Sequence, residues 1–213
     1  MKIHNSQTAL AMLLVIAIAI PAAAATYVYP LSSADIRDAY MTAQRNDEQT
    51  AEFFLPYSHN LPMPEKGPHV AAVTLATPFF QVVENSGKAD YHSNEAEKDF
   101  LGKPMDFQVR VEIDFTATYP PAGPNQSQLI IQPVPNLWDD FKIQLEQSKA
   151  IPFTSHHVYF IYSDYSANIF GVAGAIIEQD YNAEKIDADL TTVKVDTPDG
   201  QHLETTFNLL KLR

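Results

Sequence analysis

The sequence predicts a mainly β protein, two antiparallel sheets packed as a sandwich, with a short helical segment on its N-terminal side. Three observations lead there. From Phe107 to Tyr119 the residues Phe107, Val109, Val111, Ile113, Phe115, Ala117 and Tyr119 are apolar, while Gln108, Arg110, Glu112, Asp114, Thr116 and Thr118 between them are polar. That period of two is a strand with one covered and one wet face. Near the C-terminus, Val193 and Val195 alternate with Lys194 and Asp196, and Leu203, Thr205, Phe207 and Leu209 alternate after Thr197-Pro198-Asp199-Gly200. Proline fixes φ in that turn and glycine permits a positive φ, so the two runs form a hairpin. Finally, about seven to nine strand-like segments separated by turn signals are what two packed antiparallel sheets require, in an arrangement immunoglobulin-like in the broad sense.

Residues 1–25 read as a secretory signal peptide. Lys2 is the only charge before the apolar run Ala9 to Ile20, and Pro21 and Ala22 to Ala25 supply a small-residue cleavage site. The run is shorter than the roughly 20 residues that cross a bilayer, although Ala22 to Ala25 can prolong it into an uncleaved anchor. A cleaved leader places the protein in the periplasm or outside the cell. Cysteine is absent, which excludes disulfides, a lipidated N-terminus, thiol catalysis and thiolate metal sites. The fold must therefore rest on buried apolar surface, and about 190 mature residues suffice for one core. Loss of the leader removes Lys2 and no acid, so 14 basic residues become 13 against 26 acidic ones, a net charge of −13. A polyanion such as nucleic acid is an unfavourable partner for such a surface. Beyond the leader nothing in the sequence calls for a membrane.

Residues 26–60 form the helical N-terminal segment. Ser32 with Asp35 three residues later makes a capping box, and Ile36, Ala39, Tyr40 and Ala43 follow at helical spacing. Asn46 or Asp47 caps a second helix carrying Phe53 and Phe54, which Pro56 ends. The sandwich domain spans 66–213. Val70 to Thr77 and Phe79 to Val83 read as strand on either side of Pro78, a proline that argues for an edge or a bulge. Ser93 caps a helix from Asn94 to Leu101, with Gly102 at its end, and the long strand follows. Pro120, Pro121, Gly123 and Pro124 break it, Leu129 to Ile131 start another strand, and Phe141, Ile143 and Leu145 alternate in a further one. In His157 to Tyr162 both faces are apolar, which reads as a central strand. Gly171 and Gly174 mark a bulge or a close backbone approach.

Chemistry is harder to find. The seven glycines form no phosphate-binding loop, and no serine sits in a G-x-S-x-G elbow. Six histidines follow the leader, His59, His69, His92, His156, His157 and His202, with no H-E-x-x-H among them. His156 and His157 are adjacent on a strand and so point to opposite faces. Asp139, Asp140, Asp164, Asp187 and Asp189 fall at strand ends or loops, where convergence would make a calcium site of hard oxygen ligands. Tyr159, Phe160, Tyr162 and Tyr165 form an aromatic cluster that core packing explains in part, and Trp138, between proline-bounded segments, is the best aromatic candidate for a ligand contact.

The words Ile36-Arg37-Asp38-Ala39-Tyr40, Thr77-Pro78-Phe79-Phe80-Gln81-Val82-Val83, Val109-Arg110-Val111 and Thr197-Pro198-Asp199-Gly200 resemble an uncharacterised family of secreted bacterial proteins over most of the mature chain. The resemblance implies no activity and lends no functional residue. The expectation is an exported, acidic, non-enzymatic module that binds a ligand or protein partner, with no catalytic, cofactor or metal residue assigned. The alternative is a secreted hydrolase or a calcium-binding sandwich with a carboxylate site in its loops.

Overall fold

A computed structural model describes residues 26–88, 92–114, 137–166 and 169–213. The strands are β1 (Ser58–Asn60), β2 (His69–Ala76), β3 (Asp106–Asp114), β4 (Lys142–Glu146), β5 (Ala150–Ile151), β6 (Ser155–Ser166), β7 (Ile169–Asn182), β8 (Leu190–Asp196) and β9 (His202–Asn208). They make a five-stranded sheet of order β1-β2-β3-β7-β6 and a four-stranded sheet of order β5-β4-β8-β9, antiparallel throughout. This is the predicted β-sandwich.

β3 holds its middle. Phe107, Val109, Val111 and Ile113 are fully buried and meet Ile143 and Leu145 of β4, Val193 and Val195 of β8, and Phe207 of β9 in one core. Each such side chain withdrawn from water stabilises the fold by about 1.5–3 kcal/mol. The expected continuation of this strand over 115–119, the break at Pro120 to Pro124, the strand at Leu129 to Ile131 and the leader lie outside the described residues. In β7, Gly174 is the close approach its composition suggested, since a methyl group built there would lie 2.3 Å from the Ile113 carbonyl oxygen. The register of β6 on β7 slips beside it, between Ile161 and Tyr162. The β8–β9 hairpin also forms as read. The Gly200 N–H donates to the Thr197 carbonyl at 3.0 Å, with Gly200 at φ +89°.

Helix α1 (Ser33–Arg45) carries the anticipated capping box between Ser32 and Asp35, and Asp47 caps α2 (Glu48–Phe54). Three expectations need correction. The stretch after Pro78 is not a strand: it is α3 (Pro78–Ser86), in which Thr77 accepts a hydrogen bond from the Phe80 N–H at 3.1 Å and Pro78 occupies the first turn. Proline there gives up an N–H that has no helical partner anyway. Phe79, Val82, Val83 and Ser86 then fall on one buried face, a helical spacing hidden within a short apolar run. Next, α4 (Ser93–Phe100) is capped one residue earlier than expected, with the His92 N–H donating to Glu95 at 2.8 Å. Lastly, among the described residues β6 is an edge strand rather than a central one. Among the described residues its only neighbour is β7, and Tyr159 is 52 % exposed. Tyrosine has a polar end as well as an apolar ring, so a two-faced aromatic strand can tolerate an edge.

The helices form a second, smaller core. Ile36, Ala39 and Ala43 of α1 pack against Phe79, Val82 and Val83 of α3 and Ala96 of α4. Phe54 and Tyr57 join it to the sheet through Phe80, with ring centroids at 5.0 and 5.2 Å. Arg213 closes the layer. Its guanidinium lies 4.2 Å from the Phe79 ring centroid and bonds Asp35 and Asp38, while its carbonyl accepts from Tyr57 and Thr77.

Candidate functional site

The outer face of the five-stranded sheet carries the polar half of the β3 alternation. Register aligns Thr74 of β2, Arg110 of β3, Glu178 of β7 and His157 of β6 in one row, with Gln108, Asp180 and Ser155 in the next. Because α3 starts directly after β2, it brings Glu84 over Arg110. The Arg110 guanidinium donates to both Glu84 oxygens at 2.8 and 3.0 Å, to Glu178 at 2.8 Å through Nε, and to the Gln108 carbonyl oxygen at 2.8 Å. Gln108 in turn donates to Asp180 at 3.0 Å, and Asp180 accepts from Ser155 Oγ at 2.5 Å. Glu178 and Asp180 are only 8 % and 7 % exposed, which is tolerable because both carboxylates are hydrogen-bonded.

Electrostatics follow from this packing. Burial alone would weaken the hold of Arg110 on its proton, but Glu84 and Glu178 outweigh it and raise its pKa. The negative charge of Glu178, with some burial and the charge of Asp180, raises the Tyr159 phenol. Burial and the neighbouring Asp180 likewise push the Asp106 carboxyl upward. Ser155, His157 and Asp180 do not form a nucleophilic relay. Both Ser155 and His157 turn to the carboxylate, the latter at 3.5 Å, whereas a relay places the imidazole between hydroxyl and acid.

Beside this row lies a groove of about 610 Å³ between the helical layer and the sheet. Phe54, Phe80 and Val83 wall it from the helices, and Thr74, Glu112 and Ile176 lie on its sheet side. The two helices reach it by their C-terminal ends, α1 with Ala43 and Asn46 and α3 with Val83 and Gly87. Gln44 bonds the Ser86 carbonyl at 2.8 Å and ties those ends together. Glu112, half-buried on the sheet side, has no hydrogen bond or ion pair among the described residues.

The residues singled out by sequence are dispersed. His59 stacks edge-on against Phe207 at 4.6 Å, His69 bonds the Leu61 carbonyl at 3.2 Å, His156 lies near Phe153, and His202 pairs with Asp196 at 2.7 Å. Asp139 and Asp140 belong to the short turn before β4, and Asp187 and Asp189 to the turn before β8. The side chains of Asp164 and Tyr165 lie outside the described part. Among the described residues no three acidic or histidine side chains are placed to hold a metal ion. Trp138 is 5 % exposed and packs against Phe160 at 5.6 Å, which makes it a core residue rather than an open stacking platform. Sequence reasoning missed Glu84, Glu112 and Glu178. The available signal was the pair Glu178 and Asp180, which share a strand face and pair in register with a β3 face carrying Arg110. Comparison with protein-family models, with curated proteins and with solved structures finds no match to this chain.

Proposed function

We propose that this is an exported, non-enzymatic binding module whose ligand sits in the groove between the helical layer and the outer face of the five-stranded sheet. The groove itself carries the reading. Its volume of about 610 Å³ falls within the range of small-molecule sites, its walls are largely apolar, and it offers one unengaged ionisable group. The neighbouring ion network favours rigidity of the floor over chemistry, because each of its charges already has a partner. Export is supported by the N-terminal pattern of Lys2, the apolar run and Ala22 to Ala25.

Amide NMR spectra of the mature chain test the site, with eight-carbon amphiphiles as probes. Binding is expected to shift Val83 and Ile176 and to vanish in Thr74→Trp, which fills the groove from the sheet side. Shifts confined to other surfaces, or unchanged binding in Thr74→Trp, would remove the groove as the site. N-terminal sequencing of the protein from a periplasmic fraction should begin near Thr26. Retention of residues 1–25 at the membrane would overturn the cleaved-leader reading.

A further inference from the structure

We infer that the occupant of the groove is a cationic amphiphile, a positively charged amine or guanidinium head on an apolar body. The inference rests on the groove being the ligand site and adds the charge of the ligand. Three independent features set the sign. The helices α1 and α3, 13 and 9 residues long, both end at the groove, which faces the negative ends of their dipoles even though most of the last carbonyls, Ser86 among them, already accept a hydrogen bond. Glu112 contributes a carboxylate with no partner among the described residues. Arg110, the cation nearest to it on β3, is already matched by Glu84 and Glu178, so it offers an anion nothing that those carboxylates have not taken.

Two other cations hold neutral amides, Lys88 among the lining residues and Arg45 outside them. Lys88 is exposed at the rim and donates to Asn85 at 2.5 Å, and Arg45 bonds Gln49 at 3.0 Å. A negatively charged head in the groove would meet Glu112 and two helix C-termini, and among the described lining residues only Lys88 at the exposed rim is a cation not already paired with a carboxylate. A neutral head would leave Glu112 unpaired as the ligand excludes water from it, which is costly for a carboxylate. An ammonium donates to Glu112 and sits at the negative ends of two helix dipoles, while its chain covers Phe54, Phe80 and Ile176. Amphiphiles with one head group and one short chain fit a groove of this volume.

The experiment compares n-octylammonium, n-octanol and n-octanoate binding to the wild-type chain and to Glu112→Gln, by NMR titration at low salt. The ammonium is expected to bind about tenfold more tightly than the alcohol, and the octanoate more weakly still. In Glu112→Gln the advantage of the ammonium should fall to about twofold, and 0.5 M salt should reduce it in the wild type. If all three probes bind the groove equally, or the ammonium preference survives Glu112→Gln, the cation assignment is wrong and the groove remains a site. If none binds, the groove reading fails and takes the assignment with it. Amide spectra of Glu112→Gln show directly that the variant is folded, so loss of binding is separable from loss of structure.

Discussion

Replacement of Gly174 by alanine tests whether the β3–β7 contact is as close as its geometry indicates. The added methyl would meet the Ile113 carbonyl oxygen at 2.3 Å, with the Ile113 carbonyl carbon at 3.3 Å and Asp114 Cα at 3.4 Å. All three are backbone atoms, so no side-chain rotation relieves the clash and the strands must part by about 1 Å. Parting them weakens one or two ladder bonds at about 1 kcal/mol each. Local overpacking adds about 1–3 kcal/mol. Alanine has less freedom to lose on folding, which returns about 0.5–1 kcal/mol. The net loss is about 2–3 kcal/mol, which moves the urea midpoint down by about 1–1.5 M at a slope of about 2 kcal/mol per M. Gly102→Ala is the control: it has a φ of +69° but nothing within 4 Å, so it carries only the conformational cost of about 1 kcal/mol. A Gly174→Ala midpoint no lower than that of Gly102→Ala would refute the close approach.

Further outcomes follow from the same contacts. Arg110→Met leaves Glu178 buried without its cation and should lower stability by about 3 kcal/mol in urea titration, whereas Arg110→Met with Glu178→Met should recover most of it. Thr77→Val removes the hydroxyl that caps α3 and bonds the Arg213 carbonyl; a loss of about 2 kcal/mol is expected. Asp35 supplies a pH test. Burial alone would raise its carboxyl, but hydrogen bonds from Ser32 and the Arg213 guanidinium hold it below its ordinary value. A depressed acid stabilises the fold above its unfolded pKa of about 4 and loses that contribution as the pH falls through the folded value. Arg213→Met should therefore cost about 1 kcal/mol at pH 7, and the gap from wild type should narrow below about pH 4. Finally, Phe160→Ala should red-shift the emission of Trp138 and speed its quenching by acrylamide, because Phe160 packs against the indole.

Much of this fold was legible because one face of each sheet meets the core and the other does not. The alternation from Phe107 to Ile113 is a direct record of that asymmetry, and so are Ile143 with Leu145 and Val193 with Val195. The turn at Gly200 and the capping box at Ser32 were equally readable, since each uses a residue type for a local backbone reason. Where the reading failed, tertiary context decided. The run Phe79 to Val83 has too few polar residues to display a period, and only the Thr77–Pro78 pair, read as a cap and a first turn, distinguishes helix from strand. At β6, two apolar faces suggested burial, but tyrosines satisfy that pattern without it. The groove was not legible at all. It exists because α3 folds back over the sheet, which brings Glu84 to Arg110 and the ends of α1 and α3 to the neighbourhood of Glu112, and no local pattern specifies that return.

The bonds from Tyr27 to Ala183 and from Tyr57 to Arg213 each join residues 156 positions apart. Gln108 and Glu178, in the middle of the larger sheet, are 70 apart. Such distant pairings make assembly slow, since long loops must close before any contact rewards them. In a nascent chain α1 can meet α3 and α4 early, whereas Tyr27 and Tyr57 reach their partners only after residues 183 and 213 are made. The ties between the two ends of the fold are therefore among the last to form, while the helical core can already be in place.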